Sequence, residues 1–101
     1  MAGVMRIPKS SIPPGEGKTF PGSSQHGIAV YRKADGAFIT LSTDCPHRHC
    51  DVGWNATDKT WDCPCHGSRF KAEGSLIKGP AIDPLRKLSS QDVGEEIEVS
   101  E

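Results

Sequence analysis

The chain is 101 residues long, 35% of them apolar, with 11 glycines, 8 prolines and a formal net charge of −1. This length fits one domain, residues 1–101, and the composition favours a turn-rich β fold over a helical bundle. The weak net charge argues against nucleic acid and anionic lipid as partners. No apolar stretch is long enough for a membrane helix or a secretory signal, so we expect no membrane segment and a cytoplasmic location.

The first half is predicted to hold an extended segment followed by a hairpin. Residues 1–17 are rich in proline, glycine and serine, which is typical of an extended leading segment, with at most an edge strand around residues 18–20. Residues 28–33 and 37–42 carry β-branched and aromatic side chains on either side of "ADG", a pattern that predicts a β-hairpin. This hairpin leads directly to Cys45.

The second half is predicted to form further short strands. Residues 59–63 indicate one strand, and residues 68–79 indicate a hairpin that turns near residue 73. "GPAIDPL" at residues 79–85 contains two prolines and is therefore expected to be a stiff loop. "PLRKLS" at residues 84–89 and "EEIEVS" at residues 95–100 indicate two closing strands around a turn near residues 92–94. The predicted fold class is all-β, with stacked antiparallel sheets of short strands.

Two short loops hold all four cysteines and three of the four histidines. The first cysteine loop is "CPHRHC" at residues 45–50, and the second cysteine loop is "CPCHGS" at residues 63–68. Because the cysteines are crowded together and no export signal is evident, a metal or redox site is favoured over a disulfide framework. The candidate ligands are Cys45, His47, His49, Cys50, Cys63, Cys65 and His66.

The mixture of thiols and imidazoles indicates the kind of metal centre. A structural zinc ion takes four ligands, usually from two Cys-x2-4-Cys loops. Here Cys63 and Cys65 are only two positions apart, and both loops contain histidine as well as cysteine, which makes a zinc finger the weaker interpretation. A 2Fe-2S cluster with two thiolates on one iron and two imidazoles on the other needs one cysteine and one histidine from each loop. Cys45 with His47, and Cys63 with His66, supply this set. The oxidised centre would then be neutral, so it would accept an electron more readily than an anionic four-thiolate cluster.

The two loops resemble the two boxes of the Rieske iron-sulfur proteins, in the form that keeps a disulfide between the loops. "GPAIDPL" lies where that family has its proline-containing loop. The resemblance covers about residues 28–99 and implies a Rieske-type fold with a cluster-binding loop subdomain at residues 43–84. "WNATDKTWDCPCHGSRF" followed by "GPAIDPL" is most similar to the Rieske domain appended to FAD-dependent, amino-acid-oxidase-like oxidoreductases.

The resemblance also implies a role for each residue of the site. Cys45 and Cys63 would bind one iron, and His47 and His66 the other. Cys50 and Cys65 would form the disulfide. The residues placed around the cluster are Ser68, Phe70, Gly79 and Pro80, with the Ser68 hydroxyl donating a hydrogen bond to a cluster sulfur. Quinol-oxidising members have tyrosine where this chain has Phe70, so the loss of that donor is expected to lower the reduction potential.

The function implied is one-electron transfer, by a domain or subunit of a larger oxidoreductase system and not by an enzyme in its own right. Its partner would be a redox protein or a covalently linked flavoprotein domain. One alternative is a standalone Rieske ferredoxin that supplies an oxygenase. The other is a zinc-stabilised interaction module, in which the four proposed ligands would form a zinc ribbon.

Some residues near the loops have a plainer interpretation beside the functional one. Cys50 and Cys65 could be unbridged thiols, and Ser68 could cap a turn. His26 is expected to be an exposed side chain, and His49 a surface or loop-packing residue. Trp54 and Trp61 are expected to pack beneath the loops. A solvated strand face is preferred over an acidic-partner docking patch for the cationic residues Arg69, Lys71 and Lys78.

Overall fold

The computed structural model describes residues 4–22, 26–46, 50–65 and 67–100. Within these ranges the chain forms ten β-strands and one 3-10 turn, Lys9–Ser11. The strands are β1 (Val4–Pro8), β2 (Gly17–Phe20), β3 (Ile28–Arg32), β4 (Phe38–Ser42), β5 (Gly53–Asn55), β6 (Thr60–Asp62), β7 (Arg69–Lys71), β8 (Leu76–Lys78), β9 (Ser89–Val93) and β10 (Glu96–Ser100). They pair antiparallel in three sheets, which confirms the predicted all-β class.

The first sheet joins the two ends of the described chain in the order β1, β10, β9. Val4 of β1 pairs with Ser100 of β10, and Pro8 pairs with Glu96. The sequence predicted closing strands at residues 84–89 and 95–100. β10 confirms the second, whereas β9 lies at residues 89–93, after the first predicted position, and β1 lies in the segment expected only to be extended. The burial of β1 alternates, with Met5 and Ile7 turned inward, but Val4 and Pro8 on its exposed face are also apolar, so the sequence does not show a clear alternation.

The second sheet, in the order β2, β3, β4, contains the predicted hairpin and lies between the other two sheets. Successive side chains of a strand point to opposite faces. Ile28 and Val30 therefore contribute to a core shared with Ile7 and Ile97 of the first sheet, while Ala29 contributes to the core beneath the third sheet. Burial on both faces explains why residues 28–30 form an unbroken apolar run.

The third sheet, in the order β5, β6, β7, β8, holds the two cysteine loops. The first cysteine loop lies between β4 and β5, and the second connects β6 to β7. The predicted β7–β8 hairpin turns at Gly74, whose φ of 104° lies in the region that favours glycine. The core beneath this sheet contains Ala29, Leu41, Cys45, Val52, Trp61, Cys63, Phe70, Ala81 and Leu85.

Aromatic side chains connect the second and third sheets, as expected for the tryptophans. The ring centroids of Trp54 and Trp61 are 4.8 Å apart, and those of Tyr31 and Trp54 are 5.5 Å apart. A Cβ atom at Gly17 of β2 would lie 2.7 Å from the Trp54 ring, so the absence of a side chain allows this close approach. Over the described ranges, no helix has the length and apolarity required to cross a membrane.

Candidate metal centre

The first cysteine loop is closed at its base by main-chain hydrogen bonds. The Cys45 N–H donates to the Cys50 carbonyl at 2.9 Å, and Val52 N–H donates to the Thr43 carbonyl at 2.9 Å. Asp44 and Asp51, on either side of the loop, form an antiparallel bridge. The Cys45 side chain is completely buried and belongs to the core beneath the third sheet. Local pairing thus turns this thiol inward.

The second cysteine loop is closed in a similar way. The Cys63 N–H donates to the Ser68 carbonyl at 2.8 Å, and the Gly67 N–H donates to the Cys63 carbonyl at 3.1 Å. Gly67 has a φ of 81°, which allows the tight return of the chain. Cys63 is buried in the same core as Cys45, while Pro64 and Cys65 are exposed at the loop surface.

The four cysteines separate into one disulfide and two thiols. Cys50 and Cys65 are joined, with their Cα atoms 6.4 Å apart, which confirms the predicted pairing and ties the two loops together. Cys45 and Cys63 lie outside the disulfide, one on each loop. His47, His49 and His66 fall outside the described residues, so the predicted imidazole ligands have no described position.

The donor set of the described residues fits the predicted iron-sulfur cluster. Buried thiols from two bridged loops are suitable ligands for iron, because thiolate is a soft donor. Ser68 is fully buried, and its Oγ accepts the Ala81 N–H at 3.0 Å. Among the described residues its own hydroxyl proton has no acceptor. A buried donor without an acceptor is costly, so this proton fits the predicted hydrogen bond to a cluster sulfur.

The proline-containing loop is attached to the second cysteine loop through Ala81, a contact that the sequence did not predict. Ala81 is buried and donates its N–H to Ser68, whereas Gly79 and Pro80 are exposed. The burial of Ala81 could have been predicted in part, because it is a small apolar residue placed directly after a proline. Phe70 on β7 is completely buried in the same core as the two thiols.

His26 is not the exposed residue that the sequence suggested. Its Nδ1 lies 2.9 Å from Asp51 Oδ1, its Nε2 lies 3.6 Å from Asp44 Oδ1, and its side chain is 24% exposed. The Thr43 hydroxyl also donates to Asp51 at 2.8 Å. The hydrogen bond from His26 lowers the pKa of Asp51, with a smaller contribution from Thr43, and together they outweigh the opposing effect of burial. These contacts hold the base of the first cysteine loop.

Asp51→Asn is expected to destabilise the protein near neutral pH and to have little effect in acid. The pKa of Asp51 is lowered by folding, so its contribution is present above the ordinary value near 4 and is lost as the pH falls through the folded value. The loss is expected to be small, a few degrees in melting temperature, because the carboxylate is largely exposed.

Thermal unfolding from pH 7 to pH 2.5 measures this dependence. Asp83→Asn is a matched control, since the exposed Asp83 carboxylate makes no hydrogen bond or ion pair within the described ranges. A difference between wild type and Asp51→Asn that stays constant down to pH 2.5 would show that the Asp51 charge is not responsible.

Comparison with known proteins gives a family for this fold and site. The family model of the Rieske 2Fe-2S domain matches residues 4–89. The putative Rieske 2Fe-2S iron-sulfur protein YhfW of Bacillus subtilis is 46% identical over 77 residues, which cover 76% of this chain and 15% of YhfW. The cytochrome b6-f complex iron-sulfur subunit of Chlorobaculum thiosulfatiphilum is 34% identical over 91 residues, which cover 90% of this chain and 49% of that protein. The chain thus spans half or less of the length of these two relatives.

Solved structures show the same fold. The plasma membrane Rieske protein PetC3 of the cyanobacterium Synechocystis PCC 6803 matches with a TM-score of 0.70 and 32% identity, over 76% of this chain and 79% of that one. The ferredoxin of carbazole 1,9a-dioxygenase from Nocardioides aromaticivorans matches with a TM-score of 0.70 and 24% identity, over 95% of both chains. The second likeness concerns the fold alone.

The family and the geometry agree on the cofactor. A Rieske-type 2Fe-2S cluster is the cofactor of this domain, and one-electron transfer is its role. This finding argues against the zinc-stabilised module. The match along residues 4–89, the bridged loops and the pair of buried thiols show that the chain belongs to the Rieske 2Fe-2S domain family.

Proposed function

We propose that this chain is the electron-transfer domain of a larger oxidoreductase, with Cys45 and Cys63 on one iron of its cluster and His47 and His66 on the other. The observation that carries this ligand set is the pair of buried thiols, one on each of two loops that a disulfide joins. When bound, such a cluster takes up and returns one electron at a potential of roughly −150 to +300 mV.

The residues around the two loops would bind and shield this cofactor. The buried Ser68 hydroxyl would stabilise the more negative, reduced state by donating a hydrogen bond to sulfur. Phe70 would exclude water without supplying a second hydroxyl donor. Gly79 and Pro80 would cover the site from the proline-containing loop, whose position is fixed by the Ala81 N–H on Ser68.

Electrons would enter and leave at the surface formed by the second cysteine loop and the proline-containing loop. Pro64, Cys65 and Pro80 are exposed there, and the Ile82 side chain is 86% exposed. An apolar side chain this exposed on a small domain is suited to a protein contact. The partner would be a redox protein or a flavoprotein domain of the same polypeptide.

This chain matches only part of each of the two relatives, which supports the proposal that it is one domain of a longer protein. The match to YhfW covers 15% of that protein, so most of YhfW lies outside the region of similarity. A linked FAD-dependent domain is proposed from the resemblance of residues 54–70 and 79–85 alone. The size and flavin content of the natural full-length protein test this proposal, and cell fractionation tests the proposed cytoplasmic location.

The standalone Rieske ferredoxin remains the second candidate. The fold match over 95% of both chains is consistent with it, although an identity of 24% shows the fold alone. Oxygenase ferredoxins normally lack cysteines that correspond to Cys50 and Cys65, so the disulfide favours the first candidate. A natural protein no longer than this chain and without flavin would reverse that preference.

Metal analysis and EPR spectroscopy of the purified protein test the proposed centre. We expect visible absorption, equal amounts of iron and acid-labile sulfide at two of each per chain, and a rhombic EPR signal after one-electron reduction. A colourless protein with one zinc ion per chain and no sulfide would overturn the proposal.

A further inference from the structure

A charged network spans the base of the second cysteine loop on the solvent-facing side of the third sheet. Asp62 ends β6 and Arg69 begins β7, and the two residues are directly opposite in the strand register. The Arg69 Nε donates to Asp62 Oδ1 at 3.1 Å. The pair therefore fixes the separation between the two ends of the loop that carries Cys63 and Ser68.

The same guanidinium also reaches the β5–β6 hairpin. Its Nη2 donates to Thr60 Oγ1 at 3.2 Å and pairs with the Asp58 carboxylate. Asp62 accepts further hydrogen bonds from Asn55 Nδ2 at 2.8 Å and from Thr60 Oγ1 at 2.7 Å. Arg69 thus holds the start of β7 against β6 and against the turn between β5 and β6. Its planar group presents several donors at once, a geometry that lysine cannot reproduce.

The main-chain pairing of β7 is regular with β6 but irregular with β8. Arg69 pairs with Lys78 and Phe70 with Leu76, so the register shifts by one residue between them. Bulges interrupt the ladder of hydrogen bonds and redirect side chains. A single exposed ion pair adds little stability, and Arg69 is 33% exposed, so its contribution to the overall free energy of folding is small. Its effect is expected on local geometry instead.

We propose that Arg69 is a positioning residue that sets the reduction potential by orienting the Ser68 hydroxyl. Ser68 directly precedes Arg69, and its carbonyl accepts the Cys63 N–H, so a displacement at Arg69 shifts the residue that carries the hydroxyl. The inference rests on the proposed ligand set. It assigns the network of Asp58, Asp62 and Arg69 to the tuning of electron transfer, a role distinct from metal binding.

Two variants separate positioning from simple electrostatics. Arg69→Lys keeps the positive charge and removes the planar group. If Arg69 acts by orienting the Ser68 hydroxyl, the reduction potential falls; if it acts through its charge alone, the potential does not change. Asp58→Asn removes a negative charge, which by electrostatics would raise the potential, whereas the loosened guanidinium is expected to lower it. The equilibrium constant for reduction is expected to fall by up to about tenfold, the effect of one weakened hydrogen bond.

The controls use the same strand and the proposed target. Lys71→Met removes a positive charge from β7 at a residue that makes no ion pair within the described ranges. It is expected to leave the rate of amide hydrogen exchange in the second cysteine loop unchanged. In a Ser68→Ala background, Arg69→Lys is expected to have almost no further effect on the potential, because its target is absent.

Redox titration followed by visible circular dichroism measures the potential, and hydrogen exchange of the peptide spanning residues 62–69 in the same proteins measures loop order. We expect exchange in this peptide to be about fivefold faster in Arg69→Lys and Asp58→Asn than in wild type. An unchanged potential in Arg69→Lys, a raised potential in Asp58→Asn, or effects of Arg69→Lys and Ser68→Ala that simply add would each overturn the proposal. If Arg69→Lys fails to fold, the sign of the Asp58→Asn shift decides the question.

Discussion

Serine in place of Cys45 is expected to abolish iron binding and the visible absorption of the purified protein. The thiol is completely buried in the core beneath the third sheet, and in the proposed ligand set it is one of the two thiolates on one iron. Serine has nearly the same shape but is a much poorer ligand for iron than thiolate, so metal loss is expected to exceed any effect on packing. Cys63→Ser is expected to behave in the same way.

The control for these variants is the double substitution Cys50→Ser with Cys65→Ser. It also replaces cysteines on both loops, but it leaves the two buried thiols in place, so we expect iron and sulfide to remain near two per chain. Iron and sulfide content, measured together with the visible spectrum, distinguishes the single-cysteine variants from the double variant. Full iron in Cys45→Ser, or complete loss of iron in the double variant with Cys45 and Cys63 intact, would show that the ligands are assigned to the wrong cysteines.

The strands and loops that carry the site were predictable because their signals are local. The 28–42 hairpin follows from β-branched and aromatic residues on either side of a turn, and the β7–β8 hairpin follows from turn residues near position 73. The Cys50–Cys65 disulfide was implied by the resemblance of the two short loops to the Rieske boxes, and the structure confirms it. Such patterns depend on residues that are neighbours in the sequence, so they can be identified without knowing the rest of the fold.

The contacts that hold the loop bases were not predictable, because they join residues that are distant in the sequence. His26 lies 25 residues before Asp51, and nothing in its polar surroundings suggested a partner. Arg69 lies on a solvent-facing strand face, as expected, but its pairing with Asp58 and Asp62 was not predicted. Only the folded arrangement of the sheets brings these charges together.

Loss of the Cys50–Cys65 disulfide is expected to cost the cluster-free protein about 3 kcal/mol of unfolding free energy, because it closes a loop of roughly 15 residues in the unfolded chain. The two cysteines are 15 positions apart, and each belongs to a different cysteine loop. Urea unfolding of the cluster-free wild type and of the double Cys50→Ser, Cys65→Ser variant measures the difference. Equal unfolding free energies in these two proteins would contradict the entropic argument.

The same substitution is expected to speed the thermal loss of a bound cluster by much less than the roughly 150-fold that 3 kcal/mol represents. With Cys45 and His47 on one loop and Cys63 and His66 on the other, the proposed ligand set already cross-links the two segments that the disulfide joins. For as long as the cluster stays ligated, a second cross-link between these segments removes little further entropy from the opening chain. The rate of thermal bleaching of the visible spectrum in wild type and in the double variant measures this effect. A rise in the bleaching rate of about 150-fold would indicate that the cluster does not bridge the two loops.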